Sequence, residues 1–238
     1  MDVFYVSEDD IHDSTILIRG DELKHLSRVL RKKVGERIFV TDGNDRMYEA
    51  AIRSINYDEA ECEILERKHR VNEPKVEVTL AVSLLKNPAR LDFLVEKATE
   101  LGVRAIVPML CDRTIPRHEK HERLERIALA AMKQCGRSFV PRIFMLSSFE
   151  SIVHHANEYH LRLIPHEKIE QSQYIGAVMQ HHPEAKSALL LIGPEGGFTE
   201  DELELASAEG CIPISLGPRR LRSETAALVA VSSVVGGW

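Results

Sequence analysis

Two glycine-bearing segments in the last fifth of the chain carry the residue types that a ligand site needs. Ile192-Gly193-Pro194-Glu195-Gly196-Gly197 and Leu216-Gly217-Pro218-Arg219-Arg220-Leu221-Arg222-Ser223-Glu224-Thr225 each follow an apolar run. Residues 188–192 are continuously apolar, as a buried parallel strand requires, and 213–216 are a weaker example. After the first segment, Thr199 with Glu202 three residues on forms a capping-box pattern, which predicts a helix start. After the second, Ser223 is expected to cap a helix carrying Ala226, Ala227, Val229, Ala230 and Val234. Glycine at a strand end lets a ligand approach the backbone, and the helix that follows offers it unpaired N–H groups.

Neither segment is a phosphate cradle. There is no Gly-x-Gly-x-x-Gly and no Gly-Lys-Ser/Thr, which argues against NAD and ATP. Gly-Pro-Glu-Gly-Gly alone is equally a tight turn between strand and helix. The second segment, with Arg222 and Glu224 at the start of an apolar helix, tips the balance toward a site.

The elements that position these loops follow from periodicity. From Val76 onward, strands alternate with helices. Val76, Val78, Leu80, Val82 and Leu84 alternate as a strand, whereas Leu91, Leu94, Val95, Ala98 and Leu101 follow helical spacing up to Gly102. A strand at 105–110, a helix through Leu124, Ile127, Ala128, Ala131 and Met132, and strands near 143–146 and 161–164 continue the pattern. Such alternation predicts a parallel sheet covered on both faces. The first 70 residues read differently, with short strands at 3–6, 15–18, 37–41, 47–55 and 60–66 and a turn at Asp42-Gly43-Asn44-Asp45. This pattern predicts a small barrel with one basic helix, whose inner face is Leu26, Val29 and Leu30. The polar stretch 68–75 is the expected linker.

Thirty-one Lys and Arg against 37 Asp and Glu leave a formal charge of −6, which is awkward for a nucleic-acid binder. Local patterning differs from the total, since residues 25–37 hold Arg28, Arg31, Lys32, Lys33 and Arg37 against Glu36 alone. Cys62, Cys111, Cys135 and Cys211 are scattered without a Cys-x-x-Cys pair, so they suggest buried thiols and neither zinc nor disulfides. Adjacent histidines at 154–155 and 181–182 do not share a helix face and imply no metal. No run approaches the roughly 20 apolar residues of a membrane span, and the amino terminus lacks a basic region followed by an apolar stretch, so a cytoplasmic protein is expected.

Four segments taken together resemble the SPOUT-superfamily methyltransferases that methylate N3 of a uridine in bacterial small-subunit (16S) ribosomal RNA. They are Lys97-Ala98-Thr99-Glu100-Leu101-Gly102, Gln134-Cys135-Gly136-Arg137, Leu191-Ile192-Gly193-Pro194-Glu195-Gly196-Gly197-Phe198, and Leu216-Gly217 with Leu221-Arg222-Ser223-Glu224-Thr225-Ala226. The segment Lys24-His25-Leu26-Ser27-Arg28-Val29-Leu30-Arg31 extends the match. Arg220 and Cys135 depart from the family pattern without removing a chemical group. The resemblance implies an α/β protein: a PUA-like β-barrel RNA-binding domain over residues 1–70, then a parallel-sheet SPOUT methyltransferase domain over 75–238 with a trefoil knot. It also implies S-adenosylmethionine as cofactor, 16S ribosomal RNA or the small subunit as partner, a homodimer, and neither metal nor membrane.

The same resemblance places Ile192, Gly193, Pro194, Gly196 and Gly197 on one side of the cofactor, and Leu216, Gly217, Leu221, Arg222 and Thr225 on the other. Pro165 and His166 form a third wall. Arg222 is the expected stabiliser of charge on the uracil carbonyl, and Glu224 the acceptor or orienter of the N3 proton. The competing explanation is that Glu224 only caps its helix and Arg222 pairs with a carboxylate. For RNA, His25, Arg28, Arg31, Lys32 and Lys33 are expected contacts, with Arg113 and Arg137 on a second path where Arg117 and Arg142 are further candidates. Two rival functions share these features: an RNA-binding or ribosome-assembly protein without turnover, and a SPOUT enzyme acting on ribose 2′-O or on another RNA.

Overall fold

The computed structural model describes residues 3–166 and 173–236. The chain forms two compact units. One holds the residues up to Glu73 together with Ala130–Val140, and the other holds Pro74–Leu129 and the chain from Pro141 onward. The return of Ala130–Val140 to the first unit has no counterpart in the linear reading of the sequence.

The first unit contains β1 (Val3–Tyr5), β2 (Thr15–Arg19), α1 (Gly20–Lys24), β3 (Arg37–Thr41), β4 (Arg46–Ile55) and β5 (Glu59–His69). They make a five-stranded sheet in the order β1-β3-β4-β5-β2, in which β1 and β3 run parallel and the other pairs antiparallel. Alternation in β2 buries Ile16 and Ile18 with Phe4, Ile38, Val40 and Ile52, as period-two patterning requires.

After α1 the chain widens into one π-helical turn, His25–Val29, with the Leu30 N–H donating to the His25 carbonyl at 2.9 Å. This extra residue per turn corrects the expected inner face. Leu23 and Leu26 point inward, but Val29 is 69% exposed.

Arg137 is also corrected. Expected on an RNA path, its side chain is 2% exposed, and its Nη2 lies 2.5 Å from Glu73, which is itself 2% exposed. Glu73 Oε1 additionally accepts the N–H groups of Ser138 and Phe139 at 3.2 and 3.1 Å. Arg137 is thereby a buried tie between the 130–140 segment and Glu73 and presents nothing to a nucleic acid.

The second unit contains β6 (Glu77–Ser83), α2 (Pro88–Leu101), β7 (Ala105–Leu110), α3 (His121–Cys135, whose end belongs to the first unit), β8 (Arg142–Ile143), β9 (Ser147–Ser148) and α4 (Phe149–His154). It continues with β10 (Leu161–Pro165), β11 (Gln173–Tyr174), α5 (Ile175–His181), β12 (Ser187–Ile192), α6 (Glu200–Ala208), β13 (Ile212–Ser215) and α7 (Ser223–Val235). Every strand pair is parallel, in the order β11-β13-β10-β12-β6-β7-β8, with β9 also paired to β7. The strand expected at 143–146 is therefore two short pieces along one edge of β7.

Alternate residues of the central strands feed two cores. Val78, Leu80, Val82, Ala188, Leu190 and Ile192 pack with α2 and α7, while Ala81, Leu189 and Leu191 pack with α4 and α6. Burial on both faces explains why these strands read as unbroken apolar runs. Gly102 ends α2 in the left-handed region at φ 106, its N–H donating to Ala98 and Thr99, and a Cβ there would run into the ring of Pro74.

Two substitutions test this account. Replacing Gly102 with Val adds left-handed strain and a clash, and we expect a loss of about 1–3 kcal/mol in chemical denaturation. Arg137→Met leaves Glu73 buried without its cation and is expected to cost about 3–5 kcal/mol in the same measurement, far beyond the effect of losing a surface ion pair.

Candidate functional site

The strand order reverses between β6 and β12. From β6 the chain moves on to β7, whereas from β12 it moves the other way, past β10 to β13. Loops leaving the carboxyl ends of two such strands diverge and leave a crevice, the usual ligand position in an open parallel sheet. The segments after β6, β7, β10, β12 and β13 all open at this end.

The loop after β12 is held from two sides. Glu195 Oε1 accepts the Lys86 N–H, which follows β6, at 3.2 Å. Arg113, which follows β7, donates through Nη1 to the carbonyls of Gly196 at 2.9 Å and Phe198 at 3.1 Å. A Cβ on Gly196 would lie 3.3 Å from Arg113 Cβ, so the missing side chain makes room for this clamp. Arg113, expected to face RNA, thus serves the loop first. Gly193 likewise makes room for the ring of Phe198, 3.0 Å from an added Cβ.

Gly197 and Gly217 differ from these. Both have positive φ, 70° and 106°, and a Cβ on either would meet nothing within 4 Å. The backbone of both loops therefore borders open space at the strand ends, which is the fit expected for a ligand held by main-chain groups. The capping box of α6 forms as expected, with Glu202 N donating to Thr199 Oγ1 and Thr199 N to Glu202 Oε2. Glu202, 7% exposed, also accepts the Asp112 N–H at 2.9 Å, so one buried carboxylate ties the loop after β12 to the loop after β7. Behind it, burial pushes the Cys111 thiol up to about 12. Cys62 and Cys211 are similarly raised by burial, to about 12 and about 11, which leaves all three thiols protonated and inert.

The third wall is a pair of strand ends. The His166 N–H donates to the Ile214 carbonyl at 3.1 Å, bringing Pro165 and His166 beside β13 and hence beside Leu216 and Gly217. Ile192 and Pro194 are buried, Leu216, Gly217 and Leu221 are partly buried, and Arg222 and Thr225 are exposed.

At the start of α7 the structure corrects the expected cap. Arg222 is the N-cap residue and makes no side-chain capping bond, while Ser223 is the first helical residue and is buried. Glu224, 8% exposed, does not cap the helix. Its Oε1 stands 3.7 Å from Arg90 Nε of α2, and its Oε2 is buried without a partner among the described residues. Arg222 has no acidic partner among the described residues. Among the described residues the structure therefore realises neither part of the competing explanation, the cap by Glu224 or the carboxylate partner of Arg222. Lys86 and Arg90, which touch the loop after β12 and the start of α7, carry no local mark in the sequence, because a turn after an alternating strand has no chemical signature.

In the first unit, the π turn sorts the cations. Arg19, Arg37, Arg46 and Arg53 on the sheet are each paired with acidic side chains. Lys32 lies 3.5 Å from Glu36. Arg28, Arg31 and Lys33 are exposed with no acidic partner among the described residues, and Arg31 sits in the left-handed region at φ 53. His25 stacks edge-on against Phe4 with ring centroids 5.9 Å apart, anchoring the turn from which these cations project. Among the described residues no group of His, Cys, Asp and Glu is arranged to hold a metal, and no helix is long and apolar enough to cross a membrane.

Comparison with known proteins agrees with this division of labour. Residues 72–235 match the model of the RNA methyltransferase domain, and residues 18–65 match that of the RNA methyltransferase PUA domain. The chain is 30% identical to ribosomal RNA small subunit methyltransferase E of Aquifex aeolicus, covering 98% of both chains. It is 29% identical to the Bacillus subtilis protein of the same name, over 92% of this chain and 89% of that one. Among solved structures, a ribosomal RNA small subunit methyltransferase E from Neisseria gonorrhoeae, bound to S-adenosyl methionine, is similar at a TM-score of 0.87 and 30% identity, over 100% of this chain and 98% of that one. With its PUA unit, its all-parallel sheet and a family model spanning most of its length, this chain belongs to the RNA methyltransferase family.

Proposed function

We propose that this chain transfers a methyl group from S-adenosylmethionine to N3 of a uridine in 16S ribosomal RNA, acting in the cytoplasm on the small subunit or its RNA. The observation that carries this reading is the pair at the start of α7. A cation, Arg222, has no acidic partner and a buried carboxylate oxygen, Glu224 Oε2, no hydrogen-bond partner among the described residues, and both follow directly on the loop whose Gly217 borders open space.

When bound, S-adenosylmethionine supplies a methyl group made electrophilic by its sulfonium. The chain's own residues do the rest. Gly197 and Gly217 let their loops approach the cofactor as fixed backbone, which orients it with little reorganisation. Ile192, Gly193, Pro194 and Gly196 on one side, Leu216, Leu221 and Thr225 on the other, and Pro165 with His166 complete the cradle in this reading. N3 of uracil is a nucleophile only after losing its proton. Glu224 accepts that proton at Oε2, and Arg222 balances the negative charge that spreads onto the adjacent carbonyl oxygen. Arg28, Arg31 and Lys33, with His25 and Lys32, supply cations for the RNA backbone.

The trefoil threading of the carboxy-terminal segment belongs to the same reading. It is supported by the course of α7, which leaves β13 on the far side of β10 and packs on α2, β6 and β12. A homodimer is supported by Phe93 and Val229, 46% and 36% exposed on the packed helices α2 and α7.

Methyl-labelled cofactor incubated with unmodified small subunits or free 16S RNA, followed by nucleoside analysis, tests the reaction. Label is expected in 3-methyluridine. Label in another nucleoside would assign a different acceptor atom, and cofactor binding without transfer would favour an assembly role. At the residue level, Arg222→Ala and Glu224→Gln are each expected to lower kcat by about 10²–10⁴-fold while changing cofactor affinity little. Normal turnover in both variants would remove the assignment.

A further inference from the structure

Resting on the reaction proposed above, we infer that Arg90 is a positioning residue for Glu224: it fixes one carboxylate oxygen and leaves the other for the imino N–H of the acceptor base. Three observations carry this. First, Glu224 lies in the first turn of α7, is 8% exposed, and makes no hydrogen bond with its own helix. Second, its neighbouring charge is Arg90, whose Nε is 3.7 Å from Oε1 and whose side chain is 36% exposed, open to solvent on one side and to the carboxylate on the other. Third, Oε2 is buried and has no partner among the described residues.

A buried carboxylate oxygen without a donor is unfavourable, and native structures keep such a group where a ligand or a function satisfies it. The chemical class of the missing donor follows from the charge. A carboxylate accepts hydrogen bonds and protons only, and an N–H flanked by two carbonyls is both a donor and an acid.

Local chemistry sets where the Arg90 side chain leaves the backbone. Asn87 caps α2 by accepting the Ala89 N–H at 3.0 Å, and Pro88 opens the helix. These features place Arg90 in the first turn of α2 while the packing of α2 against α7 brings it to Glu224. Lys86, immediately before the Asn87 cap, donates its backbone N–H to Glu195 in the loop after β12. The stretch from Lys86 to Arg90 therefore touches both the loop after β12 and the start of α7. In the proton-transfer step, the N3–H bond breaks, its electron pair stays on N3, and the proton passes to Oε2. Arg90 takes no proton and forms no bond. It holds the carboxylate in one rotamer until the transfer.

A double-mutant cycle tests this with the full-length enzyme. kcat and KM for RNA are measured at saturating cofactor for the wild type, Arg90→Met, Arg90→Lys, Glu224→Gln and the Arg90→Met/Glu224→Gln pair, with cofactor affinity by calorimetry and melting temperature alongside. Arg90→Met is expected to lower kcat about tenfold with cofactor affinity unchanged, Arg90→Lys to restore most of it, and Arg90→Met to have almost no further effect in the Glu224→Gln background. Equal losses in both backgrounds, or a rise confined to KM, would overturn the proposal and make Arg90 an independent RNA contact. Unchanged kcat with a lowered melting temperature would reduce the pair to an interhelical tie. Should Arg90→Met fail to fold, the Lys variant decides, since a positioning cation retains activity in it and a tenfold loss there without coupling to Glu224→Gln rejects the role. Failure of the underlying reaction is separate: it shows as absence of 3-methyluridine with the wild-type enzyme.

Discussion

Because β12 pairs in parallel with β6 although the chain runs from them in opposite directions, the carboxyl ends of these two central strands cannot be covered by a single crossover. The pairing buries both strands on both faces, so their sequences are apolar throughout and leave no room for chemistry within the sheet. Polar groups are consequently displaced to the loops beyond the strand ends, which the same pairing brings together. Register sets which residues arrive there. With Ile192 opposite Val82, the Gly-Pro-Glu-Gly-Gly loop starts one residue away from Ser83 and the turn that carries Lys86 and Arg90.

Buried charge then separates structure from chemistry. Glu202 and Glu73 are carboxylates engaged on every side, by backbone N–H groups and, for Glu73, by Arg137. Such groups hold loops in one arrangement, and altering them removes stability. Glu224 is buried to a similar degree but only half engaged, facing one distant guanidinium. Among the described residues, Glu22 Oε2 is likewise buried without a hydrogen-bond partner, but Glu22 has Lys133 against its other oxygen, whereas Glu224 faces only the more distant Arg90, and it is this weaker engagement that the proposed proton transfer uses. Arg113 lies between the two cases, an exposed cation whose guanidinium is committed to the carbonyls of the loop after β12.

Much of this was legible in the sequence because it rests on local rules. Strand alternation in the first unit, apolar runs in the second, Gly102 as a helix stop and the Thr199–Glu202 capping box each depend on neighbours within a few residues. What the structure corrects depends either on a partner far away in the chain or on a local backbone irregularity that residue types do not signal. Val29 follows helical spacing, but the π turn rotates it into solvent. Arg137 looks like an RNA contact until Glu73 is found beside it, 64 residues away. Ser223 has the chemistry of a cap, yet the chain enters α7 one residue earlier, at Arg222. Two-residue strands such as β9 and β11 leave too few residues for periodicity to register. The turn carrying Lys86 and Arg90 lacks any local mark, since its role arises only from the loops it touches.

The acidic total is reconciled with an RNA substrate by how the cations are distributed. On the sheet of the first unit, Arg19, Arg37, Arg46 and Arg53 are neutralised by Asp10, Glu59, Glu49, Glu8, Asp42 and Glu63. Exposed pairs of this kind add little stability, but they remove both members from the field that a phosphate backbone senses. Over a screening length of roughly 8–10 Å at physiological salt, a nucleic acid responds to local unpaired charge and not to the sum over the chain. Arg28, Arg31 and Lys33 supply such charge, on a turn whose inner side is fixed by Leu26 and by His25 against Phe4. Holding three like charges together on a short turn is unfavourable in isolation. In the proposed reading that repulsion is offset when phosphates arrive between the cations, while the left-handed backbone at Arg31 sets the direction in which its side chain leaves the turn.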